Sequence, residues 1–162
     1  MGILNSKLVS FYLNNICPKK LGGYIRYNAI NLSKVPLIVG KDDGLKNIVD
    51  LMLNLNKEFY DKKNKIFNRI KKSFSLEKVN KKINSFYELE FNDFVKEIEK
   101  LSKNKLSLKE QDEWEDYFNE YKKDLSNLKN EIERTDNEIN KMVYKLYGLT
   151  KEEINIIEDS LK

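Results

Sequence analysis

The chain has 162 residues, 40% apolar and 35% charged, which suits a modest core and long solvated helices rather than a large globular enzyme. It has no histidine, the usual general base and commonest metal ligand, and its one cysteine, Cys17, allows neither an internal disulfide nor a paired zinc thiolate. The net charge of +4 hides an asymmetry: residues 1–41 carry +6 without a single acid, 42–60 carry −2, 61–87 carry +7 and 88–162 carry −7.

Residues 1–16 read as a helix, with Ile3, Leu4, Leu8, Phe11, Tyr12 and Ile16 on one apolar face. Pro18 ends it, and Cys17 reads as a small buried hydrophobe. Lys19-Lys20-Leu21-Gly22-Gly23 makes a basic turn. Residues 24–27 then read as a short strand. A second strand is expected over 35–39, where Pro36 favours an edge or end position. The run Gly40-Lys41-Asp42-Asp43-Gly44 is the clearest boundary, and Asp42 or Asp43 is a candidate helix cap.

A second amphipathic helix is predicted from Leu45 to about Lys72, through Ile48, Met52, Leu55, Phe59, Ile66 and Ile70, broken at residues 73–75. Shorter helices are predicted over 76–90 and 91–101. Ser107-Leu108-Lys109-Glu110 reads as a capping box opening a long helix at about 107–147, and Gly148 stands where it would stop. Along that helix Trp114, Phe118, Tyr121, Leu125, Leu128, Ile132, Ile139, Met142 and Leu146 recur three, four or seven residues apart, with Thr135 filling the longest gap. A repeat averaging 3.5 residues is that of a helix packing along another helix. The partner is either the helix from Leu45 to Ile70, antiparallel in the same chain, or a second copy in a homodimer. Thr150-Lys151-Glu152-Glu153 is another capping box, opening a last helix over 151–161. The expected fold is mainly α, with a small α/β N-terminal part over 1–41. A helical region over 42–162 follows the short β segment, as a long antiparallel, coiled-coil-like spacer.

Catalytic chemistry finds little support. The acidic groups Glu110, Asp112 and Glu113, and Glu152 with Glu153, read as solvated faces or as charge complementing helix N-termini. No phosphate-binding glycine loop is present, and the strand-like region 24–39 has no acid for a metal-dependent nuclease. No catalytic residue, metal or cofactor site is therefore expected in this chain. No apolar run approaches the ~18 residues of a membrane span. The first sixteen residues lack the basic leader and cleavage site of a signal peptide. A soluble, cytoplasmic protein without a membrane partner is expected. What stands out is the basic, amide- and tyrosine-rich start: Asn5, Lys7, Lys19, Lys20, Tyr24, Arg26, Tyr27 and Asn28. Arg and Asn can read base edges, while Lys and Tyr suit phosphates. The alternative is that the tyrosines pack and the lysines are solvated.

Three N-terminal pieces, Leu4-Asn5-Ser6-Lys7-Leu8-Val9-Ser10-Phe11-Tyr12, Gly22-Gly23-Tyr24-Ile25-Arg26-Tyr27 and Leu32-Ser33-Lys34-Val35-Pro36-Leu37, occur in that order. Together with the tail from Thr135 to Ile154 they resemble the C-terminal target-recognition region, with a TaqI-like specificity domain, of type IIG restriction–modification enzymes and N6-adenine DNA methyltransferases. The resemblance implies a DNA-recognition or specificity fragment that is not an enzyme by itself. Its N-terminal part would face double-stranded DNA, and its helices would dock a methyltransferase domain or subunit. S-adenosylmethionine would belong to that partner, since the adenine-holding Asn-Pro-Pro-aromatic tetrad is absent here: Pro18 and Pro36 are the only prolines. The implied origin is a truncated gene product or a split specificity subunit. A helical interaction or dimerisation module without DNA binding is the alternative.

Overall fold

The computed structural model describes residues 2–18, 27–38 and 43–161. The described chain is mainly helical: α1 (Lys7–Ile16), α2 (Ala29–Leu32), α3 (Asp43–Ser73), α4 (Lys81–Asn84), α5 (Phe91–Ser102), α6 (Leu108–Leu146) and α7 (Lys151–Ser160), with a 3-10 turn at Phe86–Glu88. The residues fall into two compact units, one formed by Met1–Leu53 with Arg134–Lys162, the other by Asn54–Glu133. This division cuts across a linear split at residue 41, because α1 packs on α7, which follows it by more than a hundred residues in sequence.

In the first unit, Val9, Leu13, Cys17 and Val35 are buried together, with Ile3, Tyr12 and Ile16 packed around them. Cys17 is thus a small core hydrophobe. Gly2 lies so close to α3 that a Cβ there would stand 2.5 Å from Val49 Cγ2, with Ile139 and Leu45 also beside it. At the end of α6, Gly148 takes a left-handed φ of 65°. Its N–H donates to the Lys145 carbonyl and the Leu149 N–H to that of Tyr144, a Schellman ending in which glycine avoids the Cβ clash. Thr150 and Glu153 then form the reciprocal capping box that starts α7.

The second unit is held by an aromatic core. Phe86, Phe94 and Phe118 are fully buried beside Ile66, Ile70, Ile83, Ile98 and Leu125. Phe74 meets Trp114 with ring centroids 4.8 Å apart, Arg69 lies over Tyr117, and Lys62 bonds Asp124 at 2.8 Å. Residue numbers rise along α3 as they fall along α6, so within this unit the two run antiparallel. Ser107 and Glu110 form the capping box at the head of α6. That hydroxyl and the Ser107 backbone N–H hold the Glu110 carboxyl below its ordinary value.

Several expected elements differ, and the helix expected from residue 1 starts only at Lys7, after its cap Ser6. The strand over 35–39 is not formed by its described residues, 35–38, and among the described residues there is no strand at all. Val35 is a single buried anchor, Pro36 has no N–H to give a ladder, and the Tyr147 hydroxyl takes up the exposed backbone by donating to the Pro36 carbonyl at 2.6 Å. Tyr27 is also outside any strand; the rest of the predicted strand 24–27 lies outside the described residues. The small N-terminal α/β part is therefore helical and irregular where it is described. The helix expected over 76–90 is reduced to α4 and the 3-10 turn. Leu76, Ile83 and Phe86 have nearly helical spacing, but Asn80 caps the chain by accepting the Ile83 N–H at 3.0 Å, so the helix starts only there.

Candidate nucleic-acid interface

The interface expected from sequence starts at α1. Ser6 is its N-cap: the hydroxyl accepts the Val9 N–H and donates to the Ile3 carbonyl at 2.7 Å. The next free donor of the helix, the Lys7 N–H, is taken by Asn140 Oδ1 at 2.8 Å, and Asn140 in turn donates to Asp136. The Lys7 ammonium bonds Glu158 at 2.9 Å, and the other oxygen of that carboxylate accepts the Tyr144 hydroxyl at 3.0 Å. Burial first, then that hydrogen bond and the nearby negative charge, push the Tyr144 hydroxyl well above an ordinary tyrosine. The start of α1 is thereby fastened to α6 and α7 by groups that satisfy one another.

Segment 27–38 is held on the same frame. Asn28 caps α2 by accepting the Asn31 N–H at 2.8 Å, the Tyr12 hydroxyl donates to the Lys34 carbonyl, and the Ile38 N–H points at the Tyr147 hydroxyl. The eight sequence-predicted contacts therefore divide. Lys7 and Asn28 have structural partners, an ion pair and a helix cap. Asn5 is exposed and Tyr27 is 53% exposed. Lys19, Lys20, Tyr24 and Arg26 lie outside the described residues. Sequence reading did not single out Ile30, Leu32, Leu37 and Ile38, all exposed on the same short segment. Of these, Leu37 and Ile38 fall in the strand expected over 35–39.

The helix seam is engaged inside the chain over much of its length. Phe118 and Leu125 are fully buried, Leu128 and Ile139 nearly so; Trp114, Tyr121, Ile132, Met142 and Leu146 are half-buried. Past Thr135 the buried positions are Ile139, Asn140, Val143 and Tyr144, a wider face than the heptad stripe, because α6 here holds α1 and α7.

Among the described residues no three His, Cys, Asp or Glu side chains are grouped to hold a metal ion. No helix of the described residues is long and apolar enough to cross a membrane. The family model for a domain of unknown function (DUF8810) matches residues 40–143. The chain belongs to this family. The DUF8810 match takes in the whole aromatic core and leaves α1, α2 and α7 outside it. No curated protein and no solved structure matches the chain.

Proposed function

We propose that this chain is a non-catalytic DNA-recognition element of the restriction–modification type. Its basic N-terminal segment contacts duplex DNA, and its helical body docks a methyltransferase domain or subunit, which carries the S-adenosylmethionine chemistry. The carrying observation is charge: residues 1–41 hold six cations and no acid. Such a segment attracts a polyanion, because each neutralised phosphate releases counterions. The ordered resemblance of three N-terminal pieces to target-recognition regions names DNA as that polyanion. Lys7 and Asn28 have duties in the frame, so the proposed contacts narrow to Asn5, Lys19, Lys20, Tyr24, Arg26 and Tyr27. Fluorescence anisotropy with a labelled duplex at about 50 mM salt tests the reading. Binding is expected to weaken as salt rises, and to weaken further when Lys19 and Lys20, or Arg26, become Ala. No binding to random or cognate duplex would overturn it.

A second reading, a protein-interaction module without DNA binding, is favoured by the exposed Ile30, Leu32, Leu37 and Ile38. On that reading Ile30→Ser with Leu37→Ser abolishes association with a methyltransferase subunit, while the lysine variants change nothing.

A further inference from the structure

We propose that the cleft at the C-terminal end of α5 is a binding site for a run of phosphate groups. The cleft is open, about 450 Å³ in volume, and lined by Lys96, Glu99, Lys100, Lys103, Asn104 and Lys105. Lys96, Lys100 and Lys103 are four and three residues apart, so they share one face of the helix. Lys103 then ends α5 in the left-handed conformation, with φ 58°, and the chain turns so that Lys105 lines the same cleft.

The carboxylates nearby in sequence have hydrogen-bond partners, while Glu99, which lines the cleft itself, keeps its negative charge there. Glu99 accepts the Leu106 N–H at 3.0 Å. Glu97 is bonded by Lys82 and Asn80. Glu110 accepts the Ser107 N–H and hydroxyl, and Asp93 pairs with Lys96 in an exposed contact. Among the described residues Lys100, Lys103 and Lys105 form no ion pair within 4.0 Å, and all three are exposed. After the bonds from Lys82 and Asn80, though, the Lys100 charge helps hold the Glu97 carboxyl below its ordinary value. Lysines beside a helix C-terminus also offset the helix dipole. That accounts for Lys100, in the last turn, and not for Lys103 and Lys105 beyond it. The lining has no arginine to grip one planar carboxylate by two bonds. Several flexible point charges around a concavity suit a multiply charged phosphate chain instead. Both inorganic polyphosphate and a nucleic-acid backbone present this chemistry.

The full chain is titrated calorimetrically with sodium tripolyphosphate and, in a parallel arm, by anisotropy with a labelled duplex. The cleft variant is Lys100→Ala, Lys103→Asn, Lys105→Ala; Asn tolerates the left-handed backbone at 103. A control variant, Lys57→Ala, Lys65→Ala, Lys72→Ala, removes the same charge from exposed positions of α3. The cleft variant is expected to lose about tenfold or more in tripolyphosphate affinity and the control only about twofold. Equal losses in both variants, or no tripolyphosphate binding by the unaltered chain at low salt, would overturn the site. Loss in both arms assigns the site to nucleic acid; loss in the tripolyphosphate arm alone assigns it to free polyphosphate. Since Lys19 and Lys20 stay intact in the cleft variant, its outcome is separate from that of the N-terminal DNA-binding test.

Discussion

The ring of Phe118 is the most informative single perturbation. It is fully buried, and its centroid lies 4.9 Å from that of Phe94, 5.5 Å from Phe91 and 6.0 Å from Phe86. Truncating a buried Phe to Ala removes its transfer energy and leaves a cavity, together about 3–5 kcal/mol. The lost ring contacts belong to the same sum, so Phe118→Ala is expected to cost about 4 kcal/mol, a large share of the ~5–15 kcal/mol that holds a typical domain. Urea unfolding measures this. The only tryptophan, Trp114, sits 6.2 Å from Phe94, so its fluorescence reports the second unit, while far-UV circular dichroism reports helix throughout. With a slope of about 2 kcal/mol/M, the fluorescence midpoint should fall by about 2 M. Because Phe118 is buried within one chain, the midpoint should not depend on protein concentration; a dimer held by the seam would gain stability with concentration. A cost below about 1 kcal/mol, or a concentration-dependent midpoint, would refute the assignment of this seam to an intramolecular core.

Asn140→Ala leaves the Lys7 N–H without its acceptor at a buried position and should cost about 1–3 kcal/mol, seen as a circular-dichroism melt that falls below the Trp114 fluorescence melt. Tyr144 keeps its proton to higher pH in the folded state than in the unfolded chain. Its contribution is therefore complete below the unfolded value of about 10 and declines above it. Alkaline melts should fall more steeply for the unaltered chain than for Tyr144→Phe, and parallel curves would contradict the buried hydrogen bond. Thr150→Ala removes half of the box that starts α7 and should cost about 1 kcal/mol, with faster amide exchange at Glu153.

Local signals were legible because their physics is local. The capping boxes at Ser107 and Thr150, the stop at Gly148 and the break after Ser73 each depend on residues within a turn of one another, and each stands where the sequence places it. Ser75 ends α3 with a positive φ of 48° in place of a glycine, with Leu76 buried behind it. Signals that depend on distant partners were not legible. Lys7 looked like a phosphate contact, yet its N–H acceptor is 133 residues away at Asn140. Val35 looked like part of a strand because β-branched residues favour sheets, but one buried side chain against α1 satisfies it as well. The lysine cleft was missed for the opposite reason. Lys96, Lys100 and Lys103 have visible helical spacing, but Lys105 joins them only through the left-handed turn at Lys103.

The charge asymmetry of the chain therefore has two different meanings. In the second unit, carboxylates bond lysines across elements: Asp124 to Lys62, Glu90 to Lys122, Glu88 to Lys129 and Glu97 to Lys82. Such exposed pairs contribute about 0–1 kcal/mol each and are screened by salt, so stability rests on the aromatic core. On the proposals above, Lys100, Lys103 and Lys105 at the cleft, and the cations of the N-terminal segment other than Lys7, would act on external anions instead. The two roles separate experimentally. Between about 50 and 500 mM salt the thermal midpoint should move by only a few degrees, while affinity for a phosphate chain should fall by orders of magnitude. If the midpoint instead collapsed with salt, the ion pairs rather than Phe118 and its neighbours would hold the helices, and the lysines would be structural first.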